Sequence, residues 1–195
     1  MKLPLVIAVM ASCLFLNCVT ANIDNFDELQ EFEESSVKGF VGSVVWFFKT
    51  ILQTLRGVSC TIKGAIMVIE SSEKMIADIQ DCRVESSKEV EAVIDSTNEV
   101  IRIANNILHI NENVCNIPEG AEETDPNQVP PLQCTKLLLK EVIALNNQIG
   151  LTIQLVGKVP VDAGECVTTT LYTFRDEIAG FPKFVKECSK RKEQN

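Results

Sequence analysis

The chain is predicted to fold as an all-α protein, a disulfide-stapled antiparallel bundle running up, down, up, down with an extra N-terminal amphipathic helix. Three observations predict it. Six of the eight cysteines follow an apolar leader, and Cys60, Cys82, Cys115, Cys134, Cys166 and Cys188 are separated by 22, 33, 19, 32 and 22 positions, nearly the same read from either end. Between them, apolar residues recur at three- and four-residue intervals, the period of a helix and not of a strand. From Cys60 to Cys115 there is no proline, and Gly64 is the one glycine, so little interrupts a helix over that length.

The leader sets the redox compartment. Met1 and Lys2 form a short positive start, Leu3 to Leu16 an apolar core and Val19-Thr20-Ala21 a small-residue cleavage site before Asn22. Residues 1–21 are thus expected to leave as a signal peptide, taking Cys13 and Cys18, and the remaining even number of cysteines would enter an oxidising, extracellular setting. An acyl anchor at Cys18 is disfavoured, because Asn17 is bulky and polar where such signals carry a small residue. Without Lys2 the chain has 17 basic against 27 acidic residues, a balance that argues against nucleic acid and anionic membranes as partners. No later segment offers 18 consecutive apolar residues, so no membrane span is expected. The expected organisation is 22–59 as an acidic segment and aromatic helix, 60–188 as a six-cysteine four-helix domain and 189–195 as a charged tail.

Each element has its own signal. Asn22 to Ser36 carries six carboxylates with Phe26, Leu29 and Phe32 at helical spacing and reads as a frayed acidic helix. Val37 to Leu55 gathers Phe40, Val44, Phe47, Phe48, Ile51, Leu52 and Leu55 into an apolar stripe, which suits a helix packed on the bundle or one facing lipid or a partner. In the first bundle helix, Ile62, Ile66, Ile69, Ile76 and Ile79 define the expected inner face. That stripe breaks at Arg83 to Lys88, where Ser86 and Glu89 suggest a capping box and a chain reversal near 83–87. The second helix resumes with Val90, Val93, Ile94, Ile101, Ile107, Leu108 and Val114. Prolines 118, 126, 130 and 131 make 116–133 a loop. A third helix is expected from Thr135 to about Val156, ending at Gly157, with Leu138, Val142, Leu145, Ile149, Ile153 and Val156 inward. Asp162 offers a cap for a fourth, whose seam is Val167, Leu171, Phe174, Ile178, Phe181, Val185 and Cys188, bent near Phe181 by Gly180 and Pro182.

These helices constrain the disulfides. At about 1.5 Å per residue, Cys60 and Cys82 on one helix lie roughly 33 Å apart, as do Cys166 and Cys188, far beyond the ~4.4–6.8 Å that a bridge spans. An up-down-up-down order gathers Cys60, Cys115, Cys134 and Cys188 at one end and leaves Cys82 to Cys166 at the other. Three connectivities remain, of which the mirror spacing favours the nested set, Cys60 with Cys188, Cys82 with Cys166 and Cys115 with Cys134.

The layout from Cys60 to Cys188 resembles the insect extracellular family with a tsetse EP-type domain, notably in the closing segment from Cys166-Val167 to Glu187-Cys188 with Phe174 between. The likeness covers about two thirds of the chain and lacks the Glu-Pro repeat tail of that family. It implies secretion, a helical fold and an insect gut or body-fluid setting, and it transfers no active site. Insect odorant-binding proteins need two cysteines three residues apart, which are absent here.

No catalytic constellation is legible, so no enzymatic activity, metal or cofactor is expected. His109 is the one histidine and has no Cys-His or Ser-His-Asp signature around it. Glu119, Glu122, Glu123 and Asp125 lack the alternation and turn glycine of a calcium loop and read as solvated. The expected function is a secreted, non-catalytic helical protein binding an extracellular partner or a small apolar ligand, with Trp46, Phe47 and Phe48 as the candidate binding group. The alternative is a secreted enzyme inhibitor or a structural, matrix-associated protein.

Overall fold

In the computed structural model, helices account for nearly all of the described residues, which are 41–83, 87–118 and 129–190. They belong to one unit, Gly39–Asn195. The expected signal peptide, the acidic segment, the acidic loop residues 119–125 and the end of the charged tail lie outside the described residues. The helices are α1 (Val41–Ile51), α2 (Leu55–Asp81), α3 (Lys88–Ile110), α4 (Leu132–Val156), α5 (Glu165–Ala179) and α6 (Phe181–Ser189). No strand occurs among the described residues.

The bundle is a ring in which α2 packs on α3, α3 on α4, α4 on α5 and α5 back on α2. Below the break at Gly180, α6 packs chiefly on α2, and α1 packs on α4. The break was legible, since Pro182 follows a glycine that closes α5 through its N–H to Glu177 O at 3.1 Å. Phe48 of α1 stacks on Phe181 of α6, with ring centroids 5.8 Å apart. The aromatic helix therefore belongs to the core, and the boundary expected at residue 60 falls inside α2.

Three bridges close the ring in the nested pattern. Cys60–Cys188, Cys82–Cys166 and Cys115–Cys134 have Cα separations of 5.7, 5.8 and 5.0 Å.

The inner face of α2 differs from the expected isoleucine stripe. The buried residues are small, Thr61, Gly64, Ala65, Val68 and Ser72, followed by Met75 and Ile79, while Ile62, Ile69 and Ile76 are half-buried and Ile66 is exposed. At Gly64 the reason is the close approach of α6 to α2. A Cβ on Gly64 would stand 2.9 Å from Phe181 Cε2 and 3.1 Å from Val185 Cγ2. On α3, Val90, Val93 and Ile107 are buried as expected and are joined by Thr97, Val100, Ile103 and Ala104, whereas Ile94, Ile101, Leu108 and, in the turn that follows, Val114 are half-buried.

Several ends fall elsewhere than expected. The cap of α3 is Ser87, which accepts from Val90 N–H at 3.3 Å, one residue later than Ser86, itself outside the described residues. Glu89 stands one position too early to close a capping box, yet its carboxyl is held below the ordinary value by its own backbone N–H and then by the Ser87 hydroxyl. Helix α4 starts at Leu132, since Pro131 has no N–H to lose before a first turn. Asp162 lies in a short 3-10 turn, Val161–Ala163, and the residue before α5 is Gly164 at φ +100°, a conformation that favours glycine. Helix α3 runs out in a π-helical turn, Asn111–Cys115, closed by Asn116 at φ 50°. There the Asn111 amide grips Ile117 through both its N–H and its carbonyl, each at 3.2 Å, which aims Cys115 at Cys134.

Candidate functional site

Three consecutive residues of a helix point about 100° apart, so Trp46, Phe47 and Phe48 cannot share one face. Phe48 is completely buried, Phe47 is half-buried and meets it edge to face at 4.8 Å, and Trp46 is 68% exposed. The structure brings Phe47 and Phe48 together as packing and leaves Trp46 outward. Leu132, at the start of α4, and Val129 just before it are also exposed, at 66% and 74%. Burial of Phe48 and Leu52 fixes α1 against the ring and so fixes the direction in which Trp46 projects.

His109 is exposed near the end of α3, its Nδ1 3.0 Å from Asn105 O, so it meets its own helix and no catalytic partner. No group of three or more His, Cys, Asp or Glu side chains is arranged to hold a metal among the described residues. On the surface, the Arg102 guanidinium holds the Glu99 carboxyl below its ordinary value by direct hydrogen bonds of 2.7 and 2.5 Å.

The polar groups inside the bundle are mostly satisfied. Between α3 and α4, the Ser96 and Thr152 hydroxyls lie 2.8 Å apart, and Gln148 donates to the Ser96 carbonyl at 3.2 Å and hydroxyl at 2.9 Å. Further along the same two helices, Asn106 donates to Glu141 at 3.1 Å. These bonds pin the register of the two helices. The exception is Ser72, fully buried with an unpartnered hydroxyl, which costs about 1–3 kcal/mol.

Sequence reasoning missed a concave feature beside it. A groove of about 240 Å³ runs between α2 and α5, from Ser71 to Asp78 on one wall and Thr169 to Glu177 on the other. The bond between Cys82 and Cys166 crosses the same two helices one turn beyond it. Two signals were available, the adjacent hydroxyls Ser71-Ser72 and the run Thr168-Thr169-Thr170. Only the packing of α2 on α5 brings the two segments to the walls of one groove. Comparison with known proteins found no matching family model, curated protein or solved structure.

Proposed function

We propose that this is a secreted, non-catalytic helical protein that binds an extracellular partner or a small apolar ligand through the end of the bundle carrying Trp46. One observation carries the reading: an indole 68% exposed on a helix whose opposite side is locked into the core by Phe48. A large aromatic held rigidly in water presents apolar area at little entropic cost to whatever covers it. Secretion is supported by the apolar leader and by three bridges of the kind that persist in oxidising compartments. The resemblance to the insect EP-type family rests on cysteine spacing and accords with this setting.

Trp46 is the single tryptophan, so its fluorescence reports on this end alone. Titration with phospholipid vesicles, long-chain fatty acids and an apolar dye is expected to blue-shift the emission with at least one of them. Emission that ignores the whole panel, together with a monomeric mass lacking any co-purified molecule for the native secreted protein, would refute the proposal.

A further inference from the structure

The hydroxyls of this protein divide into two groups. Exposed or half-buried side chains such as Thr50, Thr135, Thr168 and Ser189 return to a carbonyl three or four residues back at 2.9 to 3.1 Å, as hydroxyls in helices commonly do. Buried Thr61, Thr97 and Thr152 do the same at 2.8 to 2.9 Å. Among the described serines and threonines, those without any partner are Ser71, Ser72, Thr169, Thr170 and Thr173. Apart from buried Ser72, all of them line the groove between α2 and α5. Exposure alone does not explain the division, because Thr50 is exposed and bonded.

We propose that this groove binds a neutral polyhydroxylated ligand of about one sugar ring, a free monosaccharide or the end of a glycan. Each serine or threonine hydroxyl both donates and accepts, which matches the sugar hydroxyl group for group. Beneath them, Met75 and Phe174 supply an apolar floor. The rim has one ammonium, Lys74, against two carboxylates, Asp78 and Glu177, and none of these is in an ion pair among the described residues. That imbalance disfavours acidic sugars. An apolar ligand would strip water from the hydroxyls and leave them unpaired. The volume, about 240 Å³, is below the ~300–1,000 Å³ of sites for drug-sized molecules, which limits the occupant to about one ring. The bond between Cys82 and Cys166 holds the two walls at fixed spacing, so the groove is preorganised. The proposal is independent of the Trp46 end.

The test is a titration of the oxidised, isotope-labelled secreted protein with glucose, galactose, mannose and N-acetylglucosamine, with glucuronate as the acidic control, followed by amide chemical shifts. At least one neutral sugar is expected to bind with Kd near ~1 mM, to shift amides within 71–78 and 169–177, and to bind at least about tenfold more tightly than glucuronate. Thr173→Val and Thr169→Val, both on the exposed side of α5, are each expected to weaken binding about tenfold while leaving the remaining amide fingerprint unchanged. No shift with any neutral sugar, shifts confined to another surface, or undiminished affinity in both variants would overturn it.

Discussion

Phe48→Ala distinguishes a core helix from an appended binding helix. Phe48 is completely buried, stacked on Phe181 at 5.8 Å and touched at its edge by Phe47. Truncating a buried phenylalanine costs about 3–5 kcal/mol, from lost transfer energy and from the cavity left behind. Alanine returns about 0.5 kcal/mol in helix propensity, so the net loss is roughly 2.5–4.5 kcal/mol. For a chain of this size each kcal/mol lowers Tm by about 2–4 °C, giving a fall of about 5–18 °C. Trp46→Ala, on the exposed side of the same helix, is expected to stay within ~0.5 kcal/mol of the parent. Urea unfolding followed by far-ultraviolet circular dichroism measures both, with the disulfides left oxidised. A Phe48→Ala midpoint indistinguishable from that of Trp46→Ala would refute the assignment of α1 to the core.

Three further outcomes are expected. Ser72→Ala removes an orphaned hydroxyl from a buried helical position and is expected to stabilise the protein by about 1–3 kcal/mol in the same assay; a loss of stability would mean that the hydroxyl has a partner in solution. Cys166 is exposed and Cys82 partly so, whereas Cys60, Cys115 and Cys134 are buried, so limited reduction with alkylation should label 82 and 166 first in peptide mapping. On chain entropy alone, serine replacement of that 84-residue link costs about 4.5 kcal/mol, against about 3 for the 19-residue link of Cys115 to Cys134. Glu99 and Glu89 both titrate below the ordinary 4.5 in the folded chain, so their stabilisation is complete above that value and is lost as pH falls through the lowered ones. A Glu89→Gln, Glu99→Gln double variant should therefore lose less stability than the parent between about pH 5 and pH 2, and an identical acid profile would contradict the shifts.

Seams with a single neighbouring environment were legible. On α5 and α6, Val167, Leu171, Phe174, Ile178, Phe181 and Val185 are all buried, as their spacing predicts, because one apolar stripe faces one core. On α2 the same reasoning chose the wrong face. Isoleucine is the more hydrophobic residue, but Thr61, Gly64, Ala65 and Ser72 are the ones enclosed, and at Gly64 the rings and methyls of α6 come too close for a side chain. Trp46 and Phe48 are neighbours in the chain and opposites in the fold, which separates a candidate contact from a core anchor.

Sequence by itself determined the helical class, the break at Gly180 and the impossibility of bridging Cys60 to Cys82, because these follow from local period and from the length of a rigid rod. Tertiary structure alone decided which side of each helix is enclosed and that Ser71 to Asp78 on α2 and Thr169 to Glu177 on α5 form the two walls of one groove. Those residues are about 100 positions apart, and nothing local to either segment encodes the other; the packing of α2 on α5 does.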